Sequence, residues 1–279
     1  MRSLSIREVS ERTGLTIPTL RAWESRYGFP EPERLPGGHR RYDEQTVAAI
    51  RSVVRERRSG LSLEAAIERA RTTGSAAEPS VFAAIRRAAP ELPVQVMGVG
   101  SMLAISRAIE DECYAHGDRH VIFGAFQQER FYRSAIPRWR ELARTGDHAV
   151  VFADFARSRP DGKPVELVLE ADSVLRREWA VVCDSPTFTA CLSGWERPQG
   201  RADNRRFEAI WTVEPKLVRH ASRACVEFVR RTSPDLATAI ATRLQAQPVR
   251  GSDDLRNATI VTNRVVGYLD RLAGSESVQ

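Results

Sequence analysis

Apolar residues along the first seventy positions recur every three or four residues, and turn formers break them into short amphipathic runs. Ser5-Ile6-Arg7-Glu8 has the Ser-x-x-Glu spacing of a capping box, and Ile6 and Val9 follow on one face, so a first helix is predicted over 6–12. Gly14 permits a left-handed turn, and Thr16 then offers an N-cap oxygen to a second helix that tolerates Pro18 in its first turn. Leu20, Trp23 and Tyr27 share the inward face of this second helix. Thr19, Ala22 and Arg26 take the opposite face, flanked by Pro18, Arg21 and Ser25. Pro30 and Pro32 stiffen the exit, and Gly37-Gly38 sits between Glu33-Arg34-Leu35 and His39-Arg40-Arg41-Tyr42 as the turn of a β-hairpin would. Asp43 caps a third predicted helix carrying Val47, Ile50, Val53 and Val54. Ser62 caps a fourth with Leu63, Ala66, Ile67 and Ala70.

No heptad-spaced coiled-coil helix follows Ala70. The next stretch, RTTGSAAEPS, reads as a linker, which sets the expected organisation at 1–73 for the first domain, 74–80 for the linker, 81–215 for a second domain and 216–279 for C-terminal helices with a candidate dimer seam. The second domain opens with a short helix over 80–89. Strand-length apolar runs come at 94–97, 121–123, 149–152, 165–169, 179–183, 188–192 and 207–211. Amphipathic helices are expected between them, from Met102 through Cys113 and from Phe131 through Ala143. Short turns such as Asp184-Ser185-Pro186 join the last three strands, as in an antiparallel meander. Ser233-Pro234 starts a helix, and 255–272 is amphipathic. The fold class is therefore multi-domain: an N-terminal all-α winged helix-turn-helix with a small β-hairpin wing, then a C-terminal α+β sensor domain ending in helices.

A length of 279 residues suits two domains. No apolar run approaches the ~20 residues of a membrane span, and the N-terminus is too polar for a signal peptide, so a cytoplasmic protein with no membrane partner is expected. A formal charge of +6 suits a polyanionic partner. Lysine occurs only at Lys163 and Lys216, which makes the positive charge almost wholly guanidinium, the planar donor that pairs with phosphates and guanines; an arginine-rich coding bias explains it equally well. The outer face of the second helix fits a major groove. Ala22 allows close approach, Thr19 can bond a base edge or phosphate, and Arg21 and Arg26 reach phosphates. Arg40 and Arg41 alternate across the hairpin, so one can lie on DNA while the other pairs with a glutamate, and Arg40 is favoured for the DNA side.

The run I-x-x-V-x-x-x-T-G-L followed by T-L-R-x-W-E-x-R-Y-G-F-P-x-P-x-R-x-x-G-G-H-R-R-Y resembles the DNA-binding domain of MerR-family transcription regulators over the first quarter of the chain. Its R-Y-G-F-P and G-G-H-R-R-Y variants are similar to the branch containing cobalamin-dependent light-sensing repressors. The resemblance implies DNA contacts at Thr19, Arg21, His39, Arg40 and Tyr42. With the face read from spacing, the candidate DNA-binding set is Thr16, Pro18, Thr19, Arg21, Ala22, Arg26, His39, Arg40, Arg41 and Tyr42. Double-stranded operator DNA is the implied partner, met by a homodimer, and RNA polymerase is a further partner that such regulators engage. S-R-A-I-E-D at 106–111, F-Q-Q-E-R-F-Y at 126–132, W-R-E-L-A at 139–143 and E-W-A-V-V at 178–182 resemble the DICT domain, which implies signal input without naming a ligand.

Other chemistries find less support. There is no Asp-x-His-x-x-Gly run for cobalamin, no G-x-S-x-G elbow and no glycine-rich phosphate loop, so neither a cofactor nor an enzyme is expected. Cys113, Cys183, Cys191 and Cys225 have no paired spacing and read as buried thiols. His116 and His120 flank Gly117-Asp118, which places them in a loop rather than on one helix face suited to a metal. Phe126, Gln127, Gln128, Arg130 and Trp139 could line a pocket for a small polar ligand, or simply pack a helix on the sheet. Glu110-Asp111-Glu112 is either solvated or paired with Arg119 or Arg130. The rival to a DNA-binding regulator is a sensor or interaction protein whose winged head targets a protein partner.

Overall fold

The computed structural model describes residues 4–34, 40–58, 61–72, 80–116, 118–197 and 205–246, with 258, 261–262, 264–265 and 268–269 beyond them. The chain divides into two compact units, Met1–Glu78 and Pro79–Gln279.

In the first unit, α1 (Ile6–Thr13) begins with the full capping box: the Glu8 amide donates to Ser5 Oγ at 3.3 Å and the Ser5 amide to Glu8 Oε2 at 2.7 Å. Gly14, at φ 73°, turns the chain in the left-handed region that a side chain would strain. Thr16 then caps α2 (Ile17–Tyr27), with Pro18 in its first turn. The wing strands β1 (Glu33–Arg34) and β2 (Arg40–Arg41) pair antiparallel, Glu33 opposite Arg41. The hairpin turn at 35–39, and His39 with it, lies outside the described residues. Asp43 accepts from the Thr46 amide at 2.7 Å and caps α3 (Glu44–Arg58); Ser62 caps α4 (Leu63–Thr72) through the Ala65 amide. Val9, Leu20, Trp23, Val47, Ile50, Val53, Ala66 and Ile67 are buried together. Leu4 and Tyr42 exchange backbone bonds of 2.7 and 2.9 Å, tying the chain start to the wing.

The second unit is a mixed seven-stranded sheet with helices on both faces. Its strands are β3 (Gln95–Gly98), β4 (Val121–Ala125), β5 (His148–Ala153), β6 (Val165–Val168), β7 (Glu178–Asp184), β8 (Thr189–Glu196) and β9 (Arg206–Thr212), in spatial order β3-β9-β8-β7-β4-β5-β6. β4, β5 and β6 run parallel, and β7, β8 and β9 form the expected antiparallel meander with β3 at its edge. The central strands are apolar almost throughout because both faces are covered. On one face lie α6 (Val99–His116), α7 (Glu129–Arg133) and α8 (Ile136–Thr145), with Val181 and Cys183 of β7 in their core cluster. On the other lie α5 (Val81–Ala88), α9 (Pro215–Thr232) and α10 (Pro234–Ala246), where Phe228 of α9 meets Phe152 of β5 at 6.0 Å between rings.

Several expectations change here. The single helix expected from Phe131 through Ala143 is broken into α7 and α8 at Ser134-Ala135, because Pro137 lacks the amide a continuous helix would need and crowds the preceding turn. Cys113 and Cys183, seventy positions apart in sequence, form a disulfide between α6 and β7, with Cα atoms 6.4 Å apart. Only Cys191 and Cys225 are free buried thiols, and burial pushes the Cys191 thiol up to about 12. His116 ends α6 rather than lying in a loop, and buried His120 bonds the Leu142 carbonyl at 3.0 Å. The acidic cluster is neither solvated nor bound to Arg119 or Arg130. Glu110 and Glu112 are buried and Asp111 is half-buried, and the cluster pairs with Arg138 and Arg264. The sequence pattern does not announce α9 as a separate element. Its apolar stripe is covered by β7, β8, α5 and α10. Most of the predicted helix at 255–272 lies outside the described residues.

Candidate DNA-reading face and sensor pocket

The geometry of α2 follows from its amphipathic sequence. Leu20 and Trp23 turn inward, which leaves Pro18, Arg21, Ala22, Ser25 and Arg26 exposed along one face. Tyr27 is half-buried, with the Arg26 guanidinium 5.4 Å from its ring centre. Thr16 and Thr19 are engaged in the cap: their hydroxyls lie 2.8 Å apart, and the Thr19 amide donates to Thr16 Oγ1 at 3.3 Å. This places their polar atoms at the helix start, where four amides lack intrahelical partners.

The wing arginines divide differently from the reading of the sequence. Arg40, favoured for the DNA side, is the one that pairs with a glutamate: its Nε donates to both oxygens of Glu24 on α2 at 2.9 Å. The hydrogen bond to Glu24, and then the charge of Glu24, hold this guanidinium above its ordinary range. Arg40 therefore ties the wing to α2. Arg41 is half-buried on the alternate position. Tyr42 is only 4 % exposed and packs in the core of the head. Sequence reading misses Glu24. It sits 16 residues from Arg40, and no local spacing rule links a helix residue to a hairpin residue at that separation.

In the second unit a cavity of about 280 Å³ opens between α6, the β4–α7 connection, the α7–α8 break and β7. Phe126, Phe131 and Trp179 give it aromatic walls, and Val99, Leu103 and Val181 add apolar surface. Of the five residues expected to line a pocket, Phe126 and Arg130 do so. Trp139 stands one layer behind, its ring edge-on to Phe126 at 5.5 Å and its Nε1 donating to Glu110 at 3.1 Å. Gln127 occupies the left-handed region at φ 63° and is buried. Its side chain donates to Glu196 at 2.9 Å and accepts from Arg205, which fixes the loop that carries Phe126. Gln128 does not reach the cavity; it is the N-cap residue of α7.

Ser106, Arg107, Glu110, Arg138 and Arg205 also line the cavity, and sequence reading did not place them there. Ser106 and Glu110 come from one α6 face, where the four-residue interval was available as a signal, whereas Arg205 comes from the far side of the sheet order. Glu110 is 4 % exposed. Burial pushes its carboxyl up to about 7, against the nearby Arg138 charge and the Trp139 hydrogen bond. Burial also works to raise Glu196, but the hydrogen bond and charge of Arg205 and the bond from Gln127 outweigh it and hold that carboxyl low. Arg205 is thus already paired, at 2.7 Å, and its guanidinium lies 4.8 Å from the Phe131 ring. Among the described residues, no group of three or more histidine, cysteine or acidic side chains could hold a metal, and no helix is long and apolar enough to cross a membrane.

The first unit is a capped helix-turn-helix with a wing, and the second is a helix-covered mixed sheet enclosing a small polar-floored cavity. Residues 4–72 match the MerR HTH family regulatory protein, and residues 80–197 match DICT, the sensory domain in diguanylate cyclases and two-component systems. Residues 202–274 match the C-terminal domain of a two-partite extracellular sensor domain. The chain therefore joins a MerR-type head to a DICT domain. Among curated proteins, it is 42% identical over 79 residues to the HTH-type transcriptional repressor CarA of Myxococcus xanthus, covering 28% of this chain and 27% of the relative. It is 34% identical over 65 residues to the repressor CarH of the same organism, covering 23% and 22%. The likeness spans about a quarter of each relative's length.

Proposed function

We propose that this chain is a sequence-specific transcriptional regulator that binds a near-palindromic operator as a homodimer and takes its signal through the DICT domain. The observation that carries this reading is the exposed Pro18–Arg26 face of α2 beside a wing that Arg40 and Glu24 lock onto that helix. Thr16, Pro18, Thr19, Arg21, Ala22 and Arg26 form the major-groove side; Arg41 reaches the backbone from the wing, Arg40 positions it, and His39 is proposed as a further DNA contact. The two-fold symmetry of a dimer would be mirrored in the operator. The protein works in the cytoplasm, with RNA polymerase as the machinery whose access it alters, and regulates by binding rather than by turnover. A signal changes output through differential affinity for two arrangements of the dimer or a higher assembly.

The test is selection of the full chain against a random double-stranded DNA pool, followed by salt titration of the enriched site. An inverted repeat is expected, and Arg21→Ala should lower the salt slope by about 0.9 for each phosphate that Arg21 neutralises. An unchanged slope removes Arg21 from the DNA-contacting set. Failure of the pool to yield any enriched site would instead indicate a head that targets a protein.

A further inference from the structure

The cavity in the DICT domain holds an imbalance of charge that the fold itself does not use. Arg138 is paired with Glu110 and Asp111, and Arg205 with Glu196. Arg107 and Arg130 also line the cavity and are exposed; Arg107 faces Glu110 without a close ion pair among the described residues, and Arg130 lies 4.7 Å from the centre of the Phe131 ring. Two guanidiniums thus stand at the mouth of a space whose walls are aromatic, while a single carboxyl, Glu110, lies on its floor. The two arginines favour negative charge at this end of the cavity.

We propose that this cavity binds a small planar organic monoanion of the aryl-carboxylate class, its ring between Phe126 and Trp179 and its carboxylate held at the rim by Arg107 and Arg130. The proposal rests on the reading of this unit as the sensory input and names the ligand chemistry of that input. The size follows from the volume: about 280 Å³ lies just below the ~300 Å³ at which sites for drug-sized ligands begin, so the occupant is small. Planarity follows from the aromatic walls, which favour stacked or edge-on rings. A single charge follows from Glu110, whose floor position disfavours a second anionic group deeper in the cavity. The cavity walls come from α6 and β7, which pack together in the buried core of this unit.

The test uses the full chain and 2-naphthoate, with 2-naphthalenemethanol as a neutral control of similar shape, read by calorimetric titration. Saturable one-to-one binding of 2-naphthoate is expected. R107A/R130A should weaken it by about tenfold or more while leaving the neutral control unchanged. Leu103→Trp should abolish both by filling the cavity, with an unchanged circular dichroism spectrum as proof of folding. The rim variant lies on exposed residues and keeps the test readable if the filled variant does not fold. No saturable 2-naphthoate binding in the wild type, equal binding of the neutral control, or full binding by R107A/R130A would overturn the proposal. DNA selection on the same preparation separates the two readings: an enriched operator without naphthoate binding refutes only the ligand, and naphthoate binding without an enriched operator refutes only the regulator.

Discussion

Replacing Glu110 by glutamine should change the pH dependence of stability more than stability itself. The carboxyl is buried on the cavity floor, and burial raises it from an ordinary 4.5 to about 7. Arg138 at 3.4 Å, Asp111, Arg107 and the Trp139 indole are the charged and polar groups that face it. Between those two pH values the folded chain holds a proton that the unfolded chain has lost. Stability from this group is therefore highest in acid and falls as pH rises through the window. At ~1.4 kcal/mol per pH unit the loss comes to about 3 kcal/mol, a sizeable part of the ~5–15 kcal/mol that holds a typical domain together. Glutamine keeps an oxygen for the Trp139 indole but does not ionise. Urea unfolding followed by tryptophan fluorescence, at about pH 5 and about pH 8, gives the difference between wild type and Glu110→Gln at each pH. The glutamine variant should gain on wild type by about 2–3 kcal/mol between the two, other titrating groups cancelling in the comparison. A gain under about 0.5 kcal/mol would refute the claim that burial governs this carboxyl.

Glu24→Ala and Arg40→Ala should each weaken operator binding if the pair is a strut for the wing; tighter binding by Glu24→Ala, measured by fluorescence anisotropy, would show that Glu24 only withholds Arg40 from a phosphate. Asp184 accepts from Arg219 at 2.7 and 2.9 Å and from Ser222 at 3.0 Å inside the sheet–α9 interface, so Asp184→Ala leaves a buried guanidinium without its carboxylate and should cost about 3–5 kcal/mol in urea unfolding. A cost below about 1 kcal/mol would mean that water reaches Arg219. Gly124 faces Trp139 so closely that an added Cβ would lie 2.6 Å from the ring; Gly124→Ala should therefore destabilise by about 1–3 kcal/mol and perturb near-ultraviolet dichroism, and an unchanged spectrum would show that the indole can shift freely.

Much of the head was legible because its signals are local. A capping box spans four residues, a left-handed glycine announces a turn, and a helical face repeats within two turns, so Ser5, Glu8, Gly14, Thr16 and Asp43 identify their roles without any distant partner. The strands of the sensor domain were legible for a related reason: a buried strand is a short apolar run, and the short turns of β7 to β9 predict which neighbours pair. The parallel order of β4, β5 and β6 and the return of β9 to β3 required the tertiary structure, because strand pairing across a long connection leaves no local trace.

The candidate site divides the same way. Phe126 and Arg130 could be read as pocket residues from their chemistry, but Arg107, Arg138 and Arg205 join them only when α6, α8 and the approach to β9 converge. The acidic run at 110–112 reads in sequence as either solvated or paired with Arg119 or Arg130, and burial against Arg138 and Arg264 makes it a structural network. Cys113 and Cys183 carry no paired spacing, yet α6 crossing β7 brings their Cα atoms within 6.4 Å. The sequence reading favours Arg40 for the DNA side, whereas the wing packed against α2 pairs Arg40 with Glu24. The sequence by itself determined most of the elements of the head, their caps and the outward face of α2, since periodicity and capping act over a few residues. Only the tertiary structure decided which charges are paired and which stand open, because desolvation and Coulomb energy depend on separation in space rather than along the chain.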